Sequence, residues 1–559
     1  MTTQTQKSEV VDTPAPGDTY RPITIPAGDH GTLRGIEIVA SDGTARARRF
    51  CQVPYAQAPA GELRWRKPVP LPNDHDWSGV EGDKFGYIAP QPTYVMKNDA
   101  GDEFPSGVPG AVANEDSLTF NVWTPPGEPP AGGWPLFVWI HGGWLQIGAS
   151  GMTDRTDPSW GLGDGALKAV VVMPAYRLGL FGFLASEEIR AENDDGTAGN
   201  FGFWDQRLAL EVIKANAAIF GANGDNLTLG GLSAGAYSAQ MQIAYDLRQP
   251  QPIVKRLMLW SNTLPAQPKS LAESQPGFDG LCEKFGVTGS GEEKMKKLRA
   301  IPMQDLVDAV LQLKIHTFRA VTDDAFIPSD LYASFHDGRL AAALKKYNIP
   351  VLLGEVAEEE LLYGVTNPPS SRADLRTQLD NYYCPAVVQR LLDYYDPQLP
   401  PDQGELERGS EEWKALRAKF GEITASGQVY VPERALVRSL VAGGVDPNNI
   451  LRYRVAWKPD AYAKISLFGE HVTHADDYWC WWYGARFGWT EKDKKVNREW
   501  LAPLQLFLEG RHEEAAKEWY QGKDADGRKL REIREGKIGV AEDDRWDECM
   551  RIADAIAGK

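Results

Sequence analysis

One pentapeptide limits the folds open to this chain more than any other stretch. Residues 226–240 read Asn-Leu-Thr-Leu-Gly-Gly-Leu-Ser-Ala-Gly-Ala-Tyr-Ser-Ala-Gln, which places Gly231-Leu232-Ser233-Ala234-Gly235 between a short apolar strand and a helical stretch over 236–245. Glycines flanking a serine at this spacing suit a sharp strand-to-helix turn, because a side chain at either place would crowd backbone segments that pass close by. Such a turn lifts the serine out of the chain, and a lifted hydroxyl becomes a nucleophile where its surroundings activate it. A glycine-rich loop could give the same five residues. The preceding Leu227, Leu229 and Gly230 favour a buried strand instead.

The remaining chain supplies the partners such a strand needs. Trp134–Ile140, 169–173 and Arg256–Trp260 read as apolar runs, and 350–353 and Ile450–Ala456 continue the series, as expected of strands buried on both faces. Between them, 203–220 reads as an amphipathic helix, with Leu208, Leu210, Val212, Ile213 and Ala217 near helical spacing. The pattern predicts an α/β architecture with a mostly parallel sheet. Two stretches rich in charge and helix formers, 370–410 and 491–545, are expected to pack around it. Residues 1–21 are polar and read as a flexible tail, leaving 22–559 as one large domain.

Composition excludes some function classes. A net charge of −17 opposes nucleic-acid binding, which needs a basic footprint. No apolar run approaches the ~20 residues of a membrane span, and no secretion signal opens the chain. Five cysteines, an odd number without metal-ligand spacing, read as scattered reduced thiols of a cytoplasmic protein.

A serine nucleophile on an acyl carbon needs donors for the oxyanion that forms. The run Trp134–Ile140 ends in His141-Gly142-Gly143-Trp144, and paired glycines after a strand can present successive N–H groups. The expected donors are the N–H groups of Gly142, Gly143 and Ala234. Trp144, beside them, is placed to shape a substrate pocket.

Further motifs occur in order along the chain. They are Val53-Pro54-Tyr55-Ala56 with Gly61-Glu62-Leu63-Arg64-Trp65, then Asn114-Glu115-Asp116-Ser117-Leu118, Tyr176-Arg177-Leu178-Gly179, and Gly199-Asn200-Phe201-Gly202 with Asp205-Gln206-Arg207. Together they resemble the type-B carboxylesterase/lipase family, the cholinesterase-like branch of the α/β-hydrolase fold, from about residue 31 to beyond 510. The resemblance implies a large, mostly parallel central sheet with helices on both faces. It also implies a small-molecule ester substrate, an acyl-enzyme intermediate, and neither metal nor organic cofactor.

The same resemblance implies partners for Ser233. The family acid follows a strand ending in glycine. Matching from Gly354 puts it at Glu359, within the run Glu355-Val356-Ala357-Glu358-Glu359-Glu360, with Glu358 as the rival. The base is implied at His474, in His474-Ala475-Asp476, where glycine usually stands at the Ala475 position. His471 lacks the trailing pattern and is expected to be structural. Arg64 is implied to pair with Glu115, and Asp477 to lie behind the site with Ser261.

Departures from the family narrow the expectation. Ala89 and Ser117 stand where secreted members carry a bridged pair of cysteines, which agrees with an intracellular protein. Residues 102–113 hold no tryptophan of the kind that binds a quaternary ammonium, so a choline ester is a poor candidate. Leu232 replaces a glutamate that often precedes the nucleophile. The aromatic run Tyr478-Trp479-Cys480-Trp481-Trp482-Tyr483 reads mainly as core. The expected function is carboxylic-ester hydrolysis. Its alternatives are hydrolysis of a lactone, carbamate or amide in a metabolic pathway, and a catalytically silent binding protein of the same fold.

Overall fold

The computed structural model describes residues 14–97, 103–483 and 488–557. Its frame is a twelve-stranded sheet. Chain order gives β1 (Thr19–Pro26), β2 (Thr32–Val39), β3 (Ala45–Pro54), β4 (Thr119–Thr124), β5 (Trp134–Ile140) and β6 (Val170–Pro174). The second half adds β7 (Ala222–Leu232), β8 (Arg256–Trp260), β9 (Val351–Val356), β10 (Ile450–Ala456), β11 (Lys529–Arg534) and β12 (Lys537–Glu542). In space they run β1-β2-β3-β4-β6-β5-β7-β8-β9-β10-β11-β12. Pairing is parallel from β6 across to β11 and antiparallel at both margins. This is the mixed, largely parallel sheet of an α/β-hydrolase.

The continuous apolar runs are explained by two cores, one on each face. Successive strand residues point to opposite sides. Leu136, Val138 and Ile140 of β5 therefore join one core, with Leu210 and Ile213 of the helix Phe201–Asn216. Phe137 and Trp139 join the other, with Trp500 and Leu504 of the helix Glu491–Leu508. The aromatic run after His474 belongs to this second core. Trp481 stacks on Trp260 at 4.9 Å, and Trp482 lies 5.5 Å from both Phe137 and Trp139. Among the described residues no helix is long and apolar enough to cross a membrane.

Some elements differ from the sequence expectation. The helix begins at Phe201 and tightens at Ala217–Phe220 into a 3₁₀ turn that ends on Gly221. Within 491–545, a stretch rich in charge and helix formers, lies the hairpin β11–β12, which joins the sheet itself. Its sequence is dominated by charge because it forms the sheet edge, with Leu530 and Ile533 buried and Ile538 and Val540 partly buried against the core. At the other edge, Thr19–Arg21 fall inside the expected tail yet pair with Val39–Glu37.

Candidate active site

Ser233 sits alone between the end of β7 and the start of the helix Ala234–Asp246. Its backbone has φ 56° and ψ −123°, a conformation that an L-residue holds only under constraint. The constraint is visible on both sides. Its N–H donates to Trp260 O at the end of β8 (2.8 Å), and its carbonyl accepts from Tyr237 N–H (3.0 Å), opening the helix. A Cβ on Gly235 would stand 1.9 Å from Ile140 O, and one on Gly231 would stand 2.3 Å from Gly235 C. Both glycines are therefore required by a real crossing of backbones. The helix directs its N-terminus, with its partial positive charge, at the serine.

The strand ends are stitched side by side. Ser261 N–H donates to Gly354 O, Ala357 N–H to Val455 O, and Glu358 N–H to Val472 O. This stitching lines up Ser233 after β7, the acidic run after β9, and the histidine loop after β10. The acidic run then divides among different partners. Glu355 is buried against Arg434, Arg454 and Arg545. Glu358 binds His471 Nδ1 (2.8 Å) on a half-exposed rim. Glu360 accepts from Tyr430 OH (2.8 Å).

Glu359 is fully buried and meets His474 Nδ1 at 2.5 Å through Oε2. Its Oε1 accepts from Val356 N–H (3.0 Å), and its own N–H donates to Tyr430 OH (2.9 Å), so the carboxylate is fixed on both sides. His474 shows 7% exposure. Ala475, where the family resemblance expects glycine, has φ 70°. The left-handed backbone gives the physical reason for glycine there, since Cβ makes that region costly.

The loop after β5 is shaped by His141, whose role the sequence does not reveal. Its Nδ1 donates to Gly142 O (2.8 Å), its ring stacks on Tyr176 at 4.6 Å, and its carbonyl accepts from Tyr176 OH (3.0 Å). Burial pushes the imidazole down to about 4, keeping it neutral. In a trans peptide, C=O and N–H point oppositely. Holding Gly142 C=O on His141 therefore turns Gly143 N–H the other way. Gly142 itself faces the serine: a Cβ there would come within 3.1 Å of Ser233 Cβ. Gly143, at φ 114°, accepts from both Gln146 and Ile147 N–H through its carbonyl, closing a tight turn.

Ser233 and Ala234 open onto a cavity whose wall includes Trp144, Tyr237, Arg319 and Tyr363. Tyr363 connects it to the base, with ring centroids 5.2 Å from those of His474. Trp144, expected in a substrate pocket, lines this cavity. Most of its other walls come from 262–269, 319–320, 382–384 and 428, segments that carry no local motif.

The supporting residues divide. Arg64 grips Glu115 with both Nε (2.7 Å) and Nη2 (2.6 Å), as the resemblance implies. Asp477 lies near Glu359 and His474 but makes no hydrogen bond to Ser261 Oγ. Its Oδ2 accepts from Tyr453 OH (2.9 Å) and Trp481 Nε1 (3.1 Å), while Ser261 Oγ and Asp477 Oδ1 have no hydrogen-bond partner among the described residues. Burial, with Glu359 nearby, pushes the Asp477 carboxyl up to about 7. Ala89 and Ser117 are buried, and their loop is held instead by Ile88 N–H to Val112 O and Asn114 N–H to Ile88 O. Among the described residues no group of three His, Cys, Asp or Glu side chains could hold a metal ion.

Comparison with known proteins adds the family. Residues 22–528 match the family described as the carboxylesterase family. An uncharacterized esterase/lipase of Schizosaccharomyces pombe is 38% identical over 96% of this chain and 97% of its own. A carboxylic ester hydrolase of Gibberella moniliformis is 35% identical over 94% of each chain. An acetylcholinesterase of Gallus gallus is 38% identical over 42% of this chain and 29% of its own.

Proposed function

Since the chain belongs to the carboxylesterase family and is a serine ester hydrolase, we propose that it cleaves small carboxylic esters through Ser233, His474 and Glu359. The observation that carries this assignment is the buried 2.5 Å bond between His474 and Glu359, with Ser233 held separately in a strained elbow. With Nδ1 engaged by the carboxylate, Nε2 is the nitrogen left to exchange a proton with the serine hydroxyl.

His474 takes the Ser233 proton as Oγ attacks the ester carbonyl. The oxyanion is met by the N–H groups of Gly142, Gly143 and Ala234, reinforced by the helix N-terminus. His474 then protonates the departing alcohol. Water, deprotonated by the same imidazole, releases the acid from the acyl-enzyme and restores the hydroxyl. No step needs a metal or organic cofactor. We place the protein in the cytoplasm, a reading supported by its five free cysteines and by Ala89 and Ser117 in place of a bridged pair.

The test is turnover of a p-nitrophenyl ester series from short to long acyl chains, beside Ser233→Ala. The expected loss in kcat is on the order of 10⁶-fold. Wild-type turnover no faster than that of Ser233→Ala would overturn the assignment.

A further inference from the structure

Two cavities share a wall made of Trp144, Arg319 and Tyr382. The first holds Ser233, and the second runs on past Gln146, His316, Thr317 and Asn381. The residues lining the two include Arg319, Lys269 and His316, and not one aspartate or glutamate. In a chain with a net charge of −17 this is a local reversal of sign.

Arg319 is the centre of it. Its guanidinium lies 4.8 Å above the Tyr382 ring, and its Nε is buried without a hydrogen-bond partner. Among the described residues it pairs with no carboxylate. A buried donor left unused carries the full cost of its lost hydration, which an incoming acceptor removes.

The arginine is also held in place. On one side Phe318 exchanges both backbone groups with the buried Gln146 amide, N–H to Oε1 (3.0 Å) and Nε2 to carbonyl (2.6 Å). On the other, Val321 does the same with the buried Asn200 amide, at 3.0 and 2.7 Å. Gln146 belongs to the turn that carries Trp144, so Arg319 is tied to the wall beside the serine.

Lys269 reaches the same cavity through a small ribbon in which Lys269–Ser270 pairs with Val321–Thr322. Its Nζ donates to a backbone carbonyl, Asp380 O (2.6 Å), rather than to a carboxylate. Burial and the charge of Arg319 hold its pKa below the ordinary lysine value, although Asp380 pulls the other way. Two neighbouring cations on a half-buried wall repel each other until an anion lies between them.

We propose that the substrate is an ester bearing a carboxylate on the arm that lies along Arg319 and Lys269, of which hemiesters of dicarboxylic acids are the simplest class. A guanidinium fork matches a carboxylate in geometry as well as charge, and the same wall rejects cationic esters. Hydrolysis consumes one water and releases the alcohol and the dicarboxylate. The inference rests on the hydrolytic reading above and adds the substrate class to it.

The experiment compares mono-p-nitrophenyl glutarate with p-nitrophenyl pentanoate at low ionic strength, where surface screening is least. Wild type is expected to favour the charged ester by about tenfold or more in kcat/KM, the scale of a charge-assisted hydrogen bond. Arg319→Gln should reduce that preference by about tenfold, with Arg319→Lys between the two. Lys269→Met gives a second reading through the other cation. A wild-type preference at or below one, or one that neither Arg319→Gln nor Lys269→Met changes, overturns the inference. If the pentanoate is cleaved and that turnover vanishes in Ser233→Ala, such a result spares the hydrolytic reading. Cleavage of neither ester overturns both.

Discussion

Glu358 and Glu359 are neighbours in sequence, yet their carboxylates take opposite histidines. Glu358 turns to the exposed His471, and Glu359 to the buried His474. Burial sets them apart, because a hydrogen bond to a buried carboxylate is screened little, whereas an exposed pair contributes about 0–1 kcal/mol. Glu359→Gln, which keeps the shape and loses the charge, should lower kcat on a p-nitrophenyl ester by on the order of 10⁴-fold. Glu358→Gln should stay close to wild type. Equal losses in steady-state kinetics would place the orienting carboxylate at Glu358 as much as at Glu359. At this scale the sequence offers Ser233, Glu359 and His474 each in a short local pattern, and it cannot show that Glu358 and Glu359 meet different partners, one exposed and one buried.

The elements that position these residues were legible to different degrees. β5 and most of β8 stand out as apolar runs because both faces of the central sheet are covered, whereas Arg452 and Arg454 interrupt β10. The edge hairpin β11–β12 was hidden, since its charged side chains resemble a solvated helix. Cavity walls were hidden for another reason: Asn262, Arg319, Tyr363, Tyr382 and Gln428 come from separate segments, so no spacing links them. His141 lay between the two cases, inside a visible motif but with an invisible role. Its hydrogen bond to Gly142 O fixes a peptide plane, so His141→Phe keeps the stacking on Tyr176 and frees that plane. The expected result is a kcat about tenfold to a hundredfold lower, less than the ~10²–10³ for deleting a donor outright. An unchanged kcat would show that the loop holds its geometry without the imidazole.

Across the whole molecule, the segment that follows the C-terminal hairpin is tied to the central strands by buried charge. Glu355 of β9 takes Arg434, Arg454 of β10 and Arg545, and Asp543 bridges Arg434 to Arg452. Despite burial, the arginines hold the Glu355 carboxyl well below the usual range. A depressed carboxylate stabilises the fold above its unfolded pKa, ~4.3, and loses that contribution as pH falls through the native value. Glu355→Gln should therefore destabilise the protein by ~3–5 kcal/mol at neutral pH. The gap in melting temperature from wild type should narrow in acid, and a gap independent of pH would contradict the charge origin. A separate consequence follows from the two amides that pin Phe318 and Val321. They grip main chain only, so Arg319, one of the two residues between them, can be exchanged without loosening the strap. A lineage could thus alter its diet with a single codon while inheriting the hydrolytic apparatus untouched.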